Sequence, residues 1–284
     1  MQSVLPIRKS KAEIEFYQEY CPLFGDVLYS LYTQLKDGKV KQPIDLISLY
    51  YDAFSGHSND TLKNVFRRGY PFVKQKNHLE HWFDYPICVS VNDVIAHGQP
   101  IDGTRFKVGD IVSVDCGLSL RDERTSDLLN FDAAFTVVYS QEEQPDWVLA
   151  PRQALCNIID TQAKNTYDTA IEIFKTAREY NLYTVTQLTG HGIGHNLHEE
   201  PLVRNAPGMY SNTDFFEGLV FCAEPIYVLP SGTADGSRVE KVHIDSDGWS
   251  IKTNSGQPGS HFETMFCFSD KKLVDLCNIT KWLC

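Results

Sequence analysis

At 284 residues the chain is long enough for one large domain or two packed halves, and its 42% hydrophobic and 22% charged content is that of a globular protein. The 37 acidic and 26 basic side chains leave a formal charge of -11, which excludes a dominant basic face for nucleic acid. No apolar run approaches the ~18 residues that cross a bilayer, and the N-terminus turns polar before a signal core forms, so a cytoplasmic protein without a membrane partner is expected.

Ser10 and Glu13 have the spacing of a capping box, and Ile14, Tyr17, Cys21, Phe24, Leu28, Leu31 and Leu35 recur at helical intervals up to Asp37-Gly38. A second helix is expected over 43–54. The texture then turns to strands at 85–95, 106–116 and 131–139. Helical patterns return between 148 and 180, followed by strand-like runs at 182–189, 219–228, 239–244, 249–253 and 261–268. The order helix, helix, strands thus occurs twice, on either side of a polar link at 140–146. This predicts a single domain, 1–284, built from two similar halves of about 1–142 and 143–284. Neither half alternates strand and helix regularly, so the expected class is α+β with a largely antiparallel sheet. Eight cysteines without a CxxC pair, mostly in apolar runs, read as buried reduced thiols.

Four acids interrupt strand-like apolar runs: Asp115 in IVSVDCG, Asp132 in NFDAAFTVV, Glu224 in LVFCAEPI and Glu263 in HFETMFCF. An ionised carboxylate removed from water costs several kcal/mol unless it is paired or holds a cation. One such acid is ordinarily a strand-edge residue or half of a salt bridge. Four, with no Lys or Arg in the same runs, point to metal as the counter-charge. Asp115 and Asp132 flank the polar loop 121–127, and a hairpin there would bring both to one face.

The segment Gly-His191-Gly-Ile-Gly-His195-Asn-Leu-His198-Glu-Glu-Pro adds three imidazoles. His191 and His195 have the spacing of an HExxH zinc helix, but the glycines disfavour a helix and the glutamate of that motif is absent. A glycine-rich loop is expected instead. Two Asp, two Glu and one or more His form an oxygen-rich set that suits Mn, Fe, Co or Zn. Carboxylates that bridge favour two ions about 3.5–4 Å apart. The residues alone therefore indicate a dinuclear metallohydrolase and leave the bond it cleaves open.

These motifs resemble those of the methionine aminopeptidases. YPICVSVNDVIAHGQP, with His97, is similar to the family's segment carrying an active-site histidine. GDIVSVD, ending at Asp115, is similar to its first metal strand, and GHGIG with HEEP to its signature loop. AEP, with Glu224, and DGWSIKT followed by Phe-Glu263 resemble its last segments, in the family's order from about residue 10 to the C-terminus. The short gap between His198 and Glu224 and the lack of a Cys-rich extension before residue 10 resemble the type I, bacterial form.

The resemblance implies a pita-bread fold of two related halves around two divalent ions. Asp115, Asp132, His191, Glu224 and Glu263 would be the ligands, with Asp132 and Glu263 bridging. A hydroxide held by the ions would attack the carbonyl after an N-terminal methionine, with Glu224 as proton acceptor and shuttle. His198 would donate to the substrate carbonyl oxygen, and His97 would contact the scissile amide nitrogen. Tyr85, Cys88, Leu197 and Trp249 would line the methionine pocket. The implied partner is the N-terminal methionine of nascent chains, with a monomer as the acting form and no specific nucleic acid. A transient ribosome contact would use the basic segment Lys63, Arg67, Arg68, Lys74 and Lys76. The chain departs from the family pattern at Leu188 and Leu197, where aromatics are common, and at His195, often Arg. A proline-directed peptidase of the same fold, or a non-catalytic binding protein that keeps it, are the alternatives.

Overall fold

In the computed structural model, which describes residues 5–56, 75–76, 82–83, 85–101, 103–208, 212–232 and 237–282, the expected capping box is closed. The Ser10 hydroxyl accepts from the Glu13 amide at 3.3 Å, and Glu13 Oε2 accepts from the Ser10 amide at 2.7 Å. Helix α1 (Lys11–Lys36) follows and buries the predicted apolar face. Phe16, Tyr17 and Phe24 set their rings 6.2, 5.2 and 6.1 Å from that of Phe131. Helix α2 (Asp45–Gly56) packs on α1, and its Tyr50 hydroxyl donates to the Gly117 carbonyl at 3.1 Å. Both helices thus back the strands that carry Asp115 and Asp132.

A short pair, β1 (Gln75–Lys76) and β2 (Trp82–Phe83), lies in the basic segment. Lys63, Arg67, Arg68 and Lys74 fall outside the described residues. The run expected as one strand over 85–95 is a hairpin, β3 (Ile87–Val91) and β4 (Val94–Ala96), turned through Asn92 at φ 57°. Asn adopts that left-handed conformation more readily than most residues, and here its side chain is held by donating to Asp110 Oδ1 at 3.1 Å and accepting from the Ile111 amide at 3.0 Å. Strands β5 (Ile111–Arg121) and β6 (Leu128–Val138) form the predicted hairpin, and both run further toward the loop than the apolar pattern indicated. Polar Ser119 and Asn130 extend the ladder by hydrogen-bonding across it at 2.7 Å.

Helices α3 (Asp146–Asp160) and α4 (Thr166–Glu179) open the second part. Eleven strands follow among the described residues, the first ten being β7 (Tyr183–Val185), β8 (Gly190–Gly192), β9 (Glu199–Val203), β10 (Leu219–Ala223), β11 (Ile226–Val228), β12 (Val239–Glu240), β13 (Val242–Ile244), β14 (Ile251–Thr253), β15 (Gly259–His261) and β16 (Thr264–Ser269). The last strand, β17 (Lys272–Asp275), pairs β16 in a hairpin that the sequence reading missed. The runs 219–228 and 261–268 are not continuous. Each divides in two, and β10 pairs β16 while β11 pairs β15, in separate sheets. Among the described residues pairing is antiparallel except between β12 and β7, and the mixed helix and sheet composition agrees with the α+β expectation. No described helix is long and apolar enough to cross a membrane.

Candidate metal centre

Asp115 and Asp132 reach one face of the hairpin through register. Gly117 stands opposite Asp132 and Ala134 opposite Asp115, so the acids are diagonal neighbours with a small residue across from each. Ala134 also exchanges backbone hydrogen bonds with Glu263, at 3.2 and 2.9 Å, which ties β6 to the second part of the chain. One oxygen each of Asp115, Asp132 and Glu263 then lie within 4.8 Å of one another.

Glu224 and Glu263 sit where the paired ladder breaks, Glu224 between β10 and β11 and Glu263 between β15 and β16. Pro225 has no amide hydrogen to donate, so the break falls where a ladder bond would be lost anyway. His191 arrives on β8, a strand rather than the expected loop. Gly190 and Gly192 are what admit it: a Cβ at either would collide with the backbone of Cys222 or Glu200. Its Nε2 is 3.9 Å from Asp132 Oδ2 and 4.0 Å from Glu224 Oε1. Its Nδ1 is 2.9 Å from the Gly192 carbonyl oxygen, which assigns the proton to Nδ1 and leaves the Nε2 lone pair for the cluster.

The four carboxyls are held where ionisation is costly. Burial first, then neighbouring carboxylates, push Asp132 and Glu263 well above the usual range. Burial raises Asp115 to about 6, and burial with Asp115 raises Glu224 to about 8. Burial, reinforced by His198, lowers His191 to about 4, so its ring is neutral. No Lys or Arg is among the described residues that line the cavity. A set of proton-holding carboxylates around a neutral imidazole is what divalent ions would satisfy, and the donor types fit such ions.

The cavity, of about 80 Å³, also holds His97 and His198. His97 follows β4 at φ 53°, a left-handed conformation uncommon outside glycine and of the kind that clusters at functional sites. The His198 ring stands perpendicular to that of His191 with centroids 4.4 Å apart. Burial lowers both His97 and His198, with His198 adding to the shift of His97. Each is therefore neutral near pH 7 and carries one N–H donor. Tyr85, Cys88, Leu197 and Trp249 line the same cavity, with Cys88 paired directly opposite Asp115 across β3 and β5.

His195 lies elsewhere, with its Nε2 2.8 Å from Glu13 Oε1, and so ties the HEEP segment to α1. The sequence reading passed over three residues near the cluster. Cys222, in an apolar run, reads as a core thiol, yet its sulfur lies within 4.8 Å of ligand-type atoms of His191 and Glu263. Its position two residues before Glu224, at the end of β10, was the available signal. Lys9 forms a buried 2.6 Å ion pair with Glu199, the residue after His198, a contact 190 residues apart that no local pattern encodes. His261, two residues before Glu263, is buried beside it.

A profile of metallopeptidase family M24 matches residues 48–265. The chain belongs to that family. It is 32% identical over 203 residues to a methionine aminopeptidase of Aquifex aeolicus, covering 69% of this chain and 73% of the relative. It is 31% identical over 263 residues to one from Borreliella burgdorferi, covering 90% and 91%. The fold is shared with the crystal structure of a methionine aminopeptidase from Thermotoga maritima, at a TM-score of 0.77 and 24% identity over 96% of this chain and 99% of that one. The pita-bread architecture expected from the motifs is thereby established.

Proposed function

We propose that the chain is a metal-dependent methionyl aminopeptidase, hydrolysing the peptide bond that follows an N-terminal methionine. The observation that carries this reading is one cavity in which four carboxyls, Asp132 and Glu263 buried and Asp115 and Glu224 half-buried, and His191 face two neutral imidazoles, beside an apolar wall. Asp115, Asp132, His191, Glu224 and Glu263 would hold two divalent ions, Mn, Fe, Co or Zn, with Asp132 and Glu263 offering an oxygen to each. When bound, such ions polarise a carbonyl and make water acidic enough to attack near neutral pH.

The chain's own groups do the rest. Glu224, ionised once divalent ions offset the burial that otherwise holds its proton, would take up the proton of the attacking water and deliver it to the departing amine. His198 donates its N–H to the substrate carbonyl oxygen as negative charge develops there. His97 is placed for the scissile amide nitrogen. Tyr85, Cys88, Leu197 and Trp249 enclose the methionine side chain, and the closed space around them favours a small second residue. Residues 1–284 act as one catalytic unit, with Asp115 and Asp132 from the first half and the other three ligands from the second.

The test is release of methionine from Met-Ala-Ser with Mn, Co or Fe, beside an Ala-Pro substrate. No release with any of the three ions, while a verified methionine aminopeptidase works in parallel, would sink the proposal. Faster cleavage of Ala-Pro would favour a proline-directed peptidase. For the cell, the reading places a monomer in the cytoplasm acting on nascent chains, in transient contact with the ribosome through Lys63, Arg67, Arg68, Lys74 and Lys76. Ribosome co-sedimentation that is unchanged after neutralising those five residues would remove the last element.

A further inference from the structure

His261 ends β15 with 2% of its surface exposed, and neither Nδ1 nor Nε2 has a hydrogen-bond partner. Its backbone is fixed: the His261 amide donates to Thr136 Oγ1 at 2.7 Å, and that hydroxyl donates back to the His261 carbonyl at 2.7 Å. A buried ring with two bare nitrogens opposes folding, whereas an apolar side chain of similar size would not. The nearest anionic atom is Glu263 Oε2, 3.8 Å from Nε2. That is too long for a hydrogen bond and short enough to be closed by rotating either side chain. Glu263 belongs to the carboxyl cluster and has a second oxygen to turn toward Asp115 and Asp132.

We propose that His261 is a positioning residue: its Nε2–H donates to Glu263 Oε2 when the cluster closes around divalent ions, and so fixes which Glu263 oxygen faces them. The inference rests on the dinuclear reading given above. It explains why a polar ring occupies a core position in which it has no partner when the ions are absent. It also gives His261 an opposite effect on two measurable quantities, since the bare ring weakens the metal-free protein while the donated bond strengthens ion binding. Outer partners of this kind alter metal affinity roughly 10- to 100-fold.

The experiment compares wild type, His261→Leu and His261→Gln after chelator stripping, measuring melting temperature and then Mn²⁺ binding by calorimetry. The Leu variant should melt at or above wild type without metal, yet bind Mn²⁺ roughly 10- to 100-fold more weakly. The Gln variant, which keeps an N–H donor, should bind within about threefold of wild type, well inside the effect of losing an outer partner. Leu binding as tightly as wild type overturns the proposal. So does a Leu variant that fails to fold or melts lower without metal, because the ring would then have a structural role. If wild type itself binds no ion, the dinuclear reading fails and takes this assignment with it, an outcome distinct from a loss confined to the variant.

Discussion

Two regions present carboxylates to the same cavity by different means. In the β5–β6 hairpin the ladder is unbroken over eleven residue pairs, and Asp115 and Asp132 face inward because alternation and register put them there. In the second region the ladder is cut, and Glu224 and Glu263 occupy the cuts between β10 and β11 and between β15 and β16. A continuous ladder fixes side chains through its neighbours. A cut frees two residues from pleat geometry but leaves them dependent on whatever packs beside them, here β8 with its two close-packed glycines. Damage on the hairpin side should therefore be chemical, and damage on the split side structural as well.

The largest effect expected on the hairpin side is that of Asp132→Asn. It keeps volume and register but removes the charge that would bridge two ions, so kcat/KM for Met-Ala-Ser should fall by about 10³-fold or more, on the order of 4 kcal/mol of transition-state stabilisation. Calorimetry should show weaker ion binding, with circular dichroism unchanged. A variant that retains activity within tenfold would break the comparison at its first step.

The next effect is a pH dependence of the metal-free protein. Glu224 has an ordinary pKa of 4.5 and is raised to about 8, and Asp115 is raised from 3.8 to about 6, both by burial first. The folded state thus binds protons that the unfolded chain has released. These two groups contribute stability that is lost as pH rises, Asp115 between about 4 and 6 and Glu224 between about 4.5 and 8, and the raised Asp132 and Glu263 act in the same direction. The buried His191 and His261, lowered from 6.5 to about 4 and about 3, contribute stability that is gained as pH rises to about 6.5, so the decline runs unopposed only above that. Each pKa unit is worth about 1.4 kcal/mol, so the metal-free melting temperature should drop by roughly a few degrees between about pH 6.5 and 8. Glu224→Gln should reduce that drop. Saturating Mn²⁺ should abolish the decline, because ions favour the charged forms. A metal-free melting temperature that rises from about pH 6.5 to 8 would contradict the burial argument.

What could be read in the sequence divides along the same line. The hairpin was legible because both its acids stand out against Val, Phe and Ala and its loop is polar, so face and pairing followed from local pattern. Helix α1 was legible for a similar reason, with its capping box written within four residues. The split region was not. Apart from Glu224, His261, Glu263 and Thr264, residues 219–228 and 261–268 are apolar, and the break at Glu224 is marked only by Pro225, a signal the strand reading passed over. Gly190 and Gly192 read as glycines that allow close approach to the backbone, as they do, but in a loop rather than on the strand β8 they occupy. The Glu13–His195 and Lys9–Glu199 pairs span most of the chain and have no local signature. His261 and Cys222 were hidden by what made the acids visible, since one polar or sulfur atom in an apolar run is ordinarily satisfied within the core.

The smallest effects come from one substitution made in each region. In β8, Gly190→Ala sets a methyl against the Cys222 carbonyl, backbone that cannot turn aside. The strand must shift, at a cost of roughly 1–3 kcal/mol, and the melting temperature should fall by several degrees. His191 moves with the strand, so ion affinity should fall too. In β5, Gly117→Ala meets nothing nearer than the Phe131 carbonyl oxygen at 3.9 Å. Its backbone has no left-handed torsion to lose, and a strand glycine replaced by alanine gains about 0.5–1 kcal/mol. The metal-free protein should therefore melt at or slightly above wild type. The new methyl nonetheless projects on the face shared by Asp115 and Asp132, at the wall of the substrate cavity. Crowding there should raise KM for Met-Ala-Ser by less than about tenfold, the range of one methylene in a pocket, while kcat changes less. A thermal shift and steady-state kinetics on the two variants separate the regions directly. If Gly117→Ala loses stability as Gly190→Ala does, the hairpin is no more tolerant than the split ladder, and register alone does not hold its acids in place.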